Sequence, residues 1–198
     1  MDTEALDRRV RKTRTRLREC LVVLLKTKKV QEITVRELTE MADLNRGTFY
    51  LHYKDVFDLL EKTEEALLDD FNRLVMAHTA DDLRQRPGII FHEIYSLVYE
   101  NSDLVEVLMG ENGDLNFMNR LKQLIRDKVL RDWIEVFRSG TPAVFEAYFS
   151  FIVTGSVGLV QHWLKTGLKE TPEQMARLTE SIIRNGIAVL DMDPITQG

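Results

Sequence analysis

The sequence predicts an all-α protein in which a three-helix head is joined by a long helix to a larger helical bundle, with about nine helices in all. Three observations predict this class. Apolar residues recur at helical spacing along most of the chain, glycine and proline fall between those segments, and no β-branched alternation is long enough to indicate a sheet. We expect two domains, residues 1–54 and residues 55–198.

The first two helices of the head are predicted from apolar spacing and capping signals. The first is expected over residues 5–29, where leucine and valine keep helical spacing while arginines project elsewhere. Cys20 is the only cysteine and lies on the leucine face, so we expect a buried, unreactive thiol. The second helix should begin at Thr34, whose hydroxyl can cap it, with Glu37 at the capping-box spacing.

A break and a further cap define the next two helices. Residues 43–45 interrupt the second helix, so a short third helix is expected over residues 45–52. Asp55 is a good N-cap for a fourth helix that continues to about residue 79. A helix of that length can leave the head and enter the bundle. The bundle helices are expected near residues 89–100, 103–109, 115–138, 142–166 and 172–191.

The helix that begins near residue 142 is apolar on nearly every face. A helix of this kind is buried on all sides, and in a domain of this size that indicates a second copy of the chain covering one of them. Small residues at 155, 156 and 158 would allow another helix to approach closely. The residues predicted at this dimer interface lie on the last two helices and are Ile152, Ser156, Leu159, Trp163, Leu178, Ile182 and Gly186.

Charge is distributed unevenly along the chain, although the net charge is only −5. Residues 1–54 carry 13 Lys and Arg against 8 Asp and Glu, a balance of +5, which leaves −10 for residues 55–198. A basic first quarter on an acidic body is typical of a protein that binds nucleic acid with one end.

Several classes of protein are not predicted. The longest apolar run is far shorter than the roughly 20 residues of a membrane span, and the acidic N-terminus lacks a signal-peptide core, so we expect a cytoplasmic protein. The sequence has no nucleophile elbow, phosphate-binding loop, metal-ligand spacing or paired buried carboxylates. We therefore predict neither an enzyme nor a bound cofactor or metal.

Residues 33–55, ITVRELTEMADLNRGTFYLHYKD, have the pattern of a helix-turn-helix. Phe49 is expected to point inward, which leaves hydroxyls, a guanidinium and ring donors on the outside of the second short helix. No carboxylate occurs from Asn45 to Lys54. Such a face suits a phosphate-lined groove of DNA, which it would enter to read base edges.

Residues 8–60 resemble the DNA-binding region of the TetR family of bacterial transcriptional regulators. The resemblance is carried by Thr34-Val35, Ala42-Asp43-Leu44, Arg46-Gly47-Thr48-Phe49-Tyr50, His52-Tyr53-Lys54 and Leu59-Leu60. It implies a homodimer, usually a repressor, that binds a palindromic operator and is released by an effector in the C-terminal domain. The later stretch GSVGLVQHWLKTGLKETPEQMARL looks like the last two helices of one effector-domain subgroup, some members of which act with protein co-regulators and include an activator.

The same resemblance implies a set of DNA-contacting residues, which are Thr34, Asn45, Arg46, Gly47, Thr48, Tyr50, His52 and Lys54. Arg46 to a guanine is the expected base contact. Asn45 would read a base or cap the helix, and the cap is favoured. Tyr50 and His52 would contact phosphate or a thymine methyl, and Lys54 would neutralise a phosphate.

Two positions depart from the family pattern. Val56 stands where a lysine is usual, and Lys54 is a candidate to replace its phosphate contact. Leu51 stands where relatives often have a polar residue, and it would either press against a thymine methyl or pack.

Aromatic residues concentrate in the body, where they would line an effector pocket or form the core; for any single one, core is the favoured interpretation. The pocket candidates are Tyr95, Tyr99, Phe117, Trp133, Tyr148, Gln161 and His162. Two partners remain open as the regulating signal, a small-molecule effector and a partner protein.

Overall fold

The computed structural model is helical throughout the residues that it describes, which confirms the predicted all-α class. These are residues 3–79, 88–110, 115–133 and 142–185, with side chains described for 8–79, 88–110, 115–127 and 146–185. Within them lie nine α-helices and one 3-10 turn, Val30–Glu32. The helices are α1 Thr3–Leu25, α2 Val35–Ala42, α3 Arg46–Tyr50, α4 Val56–Met76, α5 Gly88–Glu100, α6 Ser102–Met109, α7 Leu115–Trp133, α8 Pro142–Lys165 and α9 Pro172–Asn185.

The chain forms two compact units, Met1–Leu68 and Asp69–Gly198. The first unit therefore includes the first part of α4, whereas the sequence pattern placed the domain boundary at residue 54. Val56 and Leu59, both on that part of α4, are buried. None of the helices in the described ranges is both long and apolar enough to cross a bilayer.

The core of the first unit is built from leucines of α1 and α2 and from Phe49 of α3. Leu17, Leu21 and Leu38 are fully buried, and α1 packs against α2, which in turn packs against α3. Cys20 is buried, as its position on the leucine face predicts, and that burial raises the pKa of its thiol. A neutral buried thiol is unreactive.

Local hydrogen bonds fix the angle between α2 and α3. The Thr34 hydroxyl accepts the Glu37 N–H at 3.2 Å, so Thr34 is the N-cap that the sequence predicts. Asp43 ends α2 in the left-handed conformation, with φ 55° and ψ 48°, which aspartate tolerates better than most residues. The Leu44 N–H then donates to the Thr39 carbonyl at 2.9 Å and closes the turn.

The second unit has its core between α5, α8 and α9. Its α5 and α9 pack along each other, and Tyr95 of α5 shares a buried 2.7 Å hydrogen bond with Thr179 of α9. Trp163 of α8 is fully buried beside them. Gln161 of α8 donates to the Met109 carbonyl at 2.9 Å and so joins α8 to the end of α6.

Candidate nucleic-acid interface

Asn45 caps the short helix α3 with its side chain. Its Oδ1 accepts the Thr48 N–H at 2.7 Å and the Thr48 hydroxyl at 3.0 Å. The cap function that was favoured from the sequence is therefore confirmed. Both hydrogen bonds use the carbonyl oxygen, so the Asn45 amide nitrogen is the part that can donate to DNA.

The residues of α3 divide cleanly between an inward and an outward side. Phe49 is fully buried and Tyr53 is buried, as predicted, and their rings contact each other at 5.7 Å between centroids. Arg46 and Gly47 are exposed, Tyr50 is 58% exposed, and Leu51 just after the helix is 80% exposed. We call Arg46, Gly47, Tyr50 and Leu51 the outward face of α3.

Gly47 leaves room beside the cap. A Cβ added there would lie 3.2 Å from Asn45 Oδ1, closer than ordinary van der Waals contact. Any larger residue at position 47 would therefore crowd the cap.

The segment after α3 is held against the start of α4. Asp55 caps α4, as predicted, by accepting the Asp58 N–H at 2.8 Å. Asp58 in turn accepts Lys62 Nζ and the Lys54 N–H, each at 2.9 Å, and these two bonds lower the pKa of its carboxyl. The ionised Asp58 thereby fixes the backbone of Lys54, whose side chain remains exposed. Val56 is buried, so this position offers DNA no side chain.

His52 is a neutral donor in this setting. Burial lowers the pKa of its imidazole, and the positive charge of Arg14 on α1 lowers that pKa further. At neutral pH the ring therefore carries one N–H, which can donate to a phosphate oxygen.

Two carboxylates of α2 are paired with cations. Glu37 contacts Lys28 Nζ, and Glu40 accepts Arg36 Nε at 2.7 Å. Lys62, which pairs with Asp58, also lies 5.3 Å from the centre of the Tyr53 ring. Pairing reduces the repulsion that these carboxylates would otherwise exert on a phosphate backbone.

The structure brings only some of the proposed pocket residues together. Tyr95 and Tyr99 of α5 both contact Trp163, at centroid distances of 5.3 Å and 6.2 Å. Phe117 is buried and Gln161 is committed to a backbone carbonyl, whereas Tyr148 and His162 are exposed. The side chain of Trp133 lies outside the described part of the chain. Thr179, the partner of Tyr95, was not among the candidates, and no sequence signal links positions 84 residues apart.

Trp163 lies in the core of its own chain rather than on a surface. It is 0% exposed and donates Nε1–H to the Glu170 carbonyl at 3.0 Å. Trp163 therefore packs within its own chain and is not available to the interface that the sequence predicts. The other predicted interface residues of the described ranges are half-buried: Ile152, Ser156, Leu159, Leu178 and Ile182; Gly186 lies outside them.

The most exposed side of α8 is adjacent to the predicted one. Phe151 is 70% exposed and Tyr148 is 42% exposed. A Cβ placed at Gly155 or Gly158 would meet nothing within 4 Å. These four residues, which we call the open face of α8, form an apolar stripe at helical spacing.

No group of three or more His, Cys, Asp or Glu with metal-binding geometry occurs among the residues that the structure describes.

Comparison with known proteins places these features in context. Residues 86–185 match the family model of a TetR C-terminal domain, the C-terminal region of transcriptional regulators. The chain is 27% identical over 169 residues to YxbF, an HTH-type transcriptional regulator of Bacillus subtilis strain 168. That match covers 81% of this chain and 42% of YxbF, so the chain spans less than half the length of this relative.

Solved structures with the same fold include two regulators of low sequence identity. A TetR transcriptional regulator from Streptococcus agalactiae 2603V superposes with a TM-score of 0.59 at 20% identity, over 92% of this chain and 99% of that one. The FadR of Bacillus subtilis, solved in complex with stearoyl-CoA, superposes with a TM-score of 0.64 at 15% identity, over 87% and 98% of the two chains.

Proposed function

Because this chain belongs to the TetR family of transcriptional regulators, we propose that it is a cytoplasmic homodimer that binds a palindromic operator through α3 and represses transcription. Two copies of α3 related by a two-fold axis would enter successive major grooves, about 34–36 Å apart or a multiple of that distance. The proposal contains no catalytic step.

One observation carries the proposal, which is the outward face of the capped helix α3. The Arg46 guanidinium supplies two parallel N–H donors that match the major-groove edge of guanine. Gly47 has no side chain and so lets the backbone of α3 approach the duplex closely. Thr34, Tyr50, His52 and Lys54 offer donors suited to phosphate oxygens, whereas the Thr48 hydroxyl donates its proton to Asn45 Oδ1.

For the dimer, we propose that the open face of α8 meets its symmetry mate together with the half-buried residues of α9. Phe151 supplies apolar area, and the two glycines let the helices approach closely. A monomer rarely leaves an apolar stripe of this kind in water without a function.

For regulation, we propose a small-molecule effector bound in the second unit near Tyr99, Trp163 and Tyr95. The half-exposed Tyr99 stacked on Trp163 gives the aromatic cluster a side open to solvent. The bound stearoyl-CoA of the Bacillus subtilis FadR supports an effector of apolar character. An effector that binds one conformation more tightly would shift the dimer away from its DNA-binding state.

A partner protein is the second candidate for the regulating signal. It is favoured by the packed state of Tyr95, whose hydroxyl is already bonded to Thr179, and by the burial of Phe117. If an added small molecule protects the Tyr99 side chain from chemical modification, the small-molecule effector is supported. If no added small molecule protects Tyr99 and a regulator protein co-purifies with the chain, the partner protein is supported.

The proposed function is tested by selecting genomic fragments with the purified chain and footprinting the selected DNA at near-physiological salt. We expect one short palindrome with two protected half-sites. Salt-sensitive binding without any preferred sequence would contradict it, because phosphate contacts alone produce that behaviour.

Lys54→Ala is expected to weaken binding to the operator and to scrambled DNA by the same factor. The slope of log affinity against log salt should fall by about one for each half-site, since one phosphate contact is removed from each. Lys122→Ala is the matched control, because Lys122 is an exposed lysine of the second unit. A salt slope unchanged in Lys54→Ala would show that Lys54 does not contact phosphate.

A further inference from the structure

Leu51 is exposed where a leucine has no structural reason to be. Its exposed fraction of 80% exceeds that of every other large hydrophobic side chain in the described ranges. Isolated exposed leucines are common on protein surfaces. This one differs in its position, because it belongs to the outward face of α3, through which we propose that the protein binds DNA.

The backbone holds Leu51 in register with α3. Its φ of −70° and ψ of −20° continue the helical conformation, and its N–H donates to the Gly47 carbonyl at 3.2 Å. Residues four apart share one side of a helix, and long side chains lean toward its N-terminus. Leu51 therefore lies on the same side of α3 as Gly47, which has no side chain.

Packing inside the first unit is not available to Leu51. Phe49 and Tyr53, two positions before and after it, both face the core. Leu51 follows Tyr50 and lies on the opposite side of the helical turn from Phe49 and Tyr53, so its side chain points away from the core.

We propose that Leu51 reads a pyrimidine 5-methyl group in the major groove and thereby sets a preference for thymine at one position of each half-site. The inference rests on the proposed function, since it requires that α3 enter the groove. A leucine side chain has no donor or acceptor, so it cannot recognise the hydrogen-bonding edge of any base. The thymine methyl is the apolar group that the major groove presents.

The chemistry separates this contact from a hydrogen bond. Removal of the methyl, as in uracil, keeps every donor and acceptor of the base pair and deletes only the apolar surface. Addition of a 5-methyl group to cytosine restores that surface on a different base pair. Burial of one methyl group corresponds to a change in affinity of about fourfold.

In the test, each thymine of the selected operator is replaced in turn by uracil, in both half-sites. The affinities of wild type and of Leu51→Ala for each substituted operator are then measured at one salt concentration. We expect one thymine per half-site whose replacement weakens wild type about fourfold per half-site and leaves Leu51→Ala unchanged. Placing 5-methylcytosine at that position should bind wild type more tightly than cytosine. Leu115→Ala is the matched control, a leucine that is 79% exposed in the second unit, and should keep the uracil penalty.

Two results would overturn the inference. Wild type could bind every uracil-substituted operator as tightly as the original, or Leu51→Ala could retain the full penalty, which would assign the methyl to another residue. Both results leave sequence-specific binding intact and so leave the proposed function standing. Failure to select any preferred sequence would contradict the proposed function and this inference together.

Discussion

Replacing Trp163 with alanine is expected to lower the free energy of unfolding of the second unit by about 3–5 kcal/mol. The indole is fully buried, its ring centroid lies 5.3 Å from that of Tyr95 in a T-shaped contact, and it stacks on Tyr99. Truncation would leave a cavity beside these two rings and would leave the Glu170 carbonyl without its Nε1–H donor. Denaturant unfolding followed by far-UV circular dichroism would measure the loss.

Phe151→Ala is the matched control for Trp163→Ala on the same helix. Phe151 is 70% exposed, so its truncation should change the stability of the isolated fold by less than about 0.5 kcal/mol. It should instead weaken dimerisation, measured by sedimentation at a series of concentrations. A stable Trp163→Ala protein that has only lost its dimer would contradict the buried position of Trp163.

Replacing Phe49 with alanine should have an effect of similar size in the first unit. We expect a loss of about 3–5 kcal/mol, because Phe49 is fully buried and contacts the rings of Tyr50 and Tyr53. The loss should abolish operator binding while dimerisation through the second unit persists. Unfolding curves together with sedimentation would separate these two properties.

Leu51→Ala is the stability control for Phe49→Ala, because it removes a leucine that is 80% exposed only two residues away. Its unfolding should match wild type within about 0.5 kcal/mol. If Phe49→Ala unfolded at the same denaturant concentration as wild type, the placement of the Phe49 side chain in the core would be wrong.

Local signals made the head predictable from sequence. Thr34 and Asp55 are capping residues whose partners lie three positions along the chain, so their roles depend on short-range geometry alone. The inward position of Phe49 follows from helical spacing in the same way. The end of α1 was placed four residues too late, because the lysines after Leu25 lead into a 3-10 turn instead of a further helical turn.

The body was less predictable because its helices are apolar on several faces. Periodicity identifies the buried side of an amphipathic helix, but α8 has apolar residues on nearly every side. The periodicity of α8 therefore could not show that Trp163 faces the core and Phe151 faces outward. The bond between Tyr95 and Thr179 joins two helices that are far apart in sequence, and only the tertiary structure brings them together.

The central claim is that the outward face of α3 reads a base sequence, and Arg46 tests it most directly. The measurement compares wild type and Arg46→Ala on the selected operator, on each of its single base-pair substitutions and on scrambled DNA, at one salt concentration. We predict a loss of about 1–3 kcal/mol per half-site on the operator and a lost preference at one G·C pair per half-site. An equal loss on every sequence, scrambled DNA included, would contradict base reading by α3 and would make Arg46 a phosphate contact.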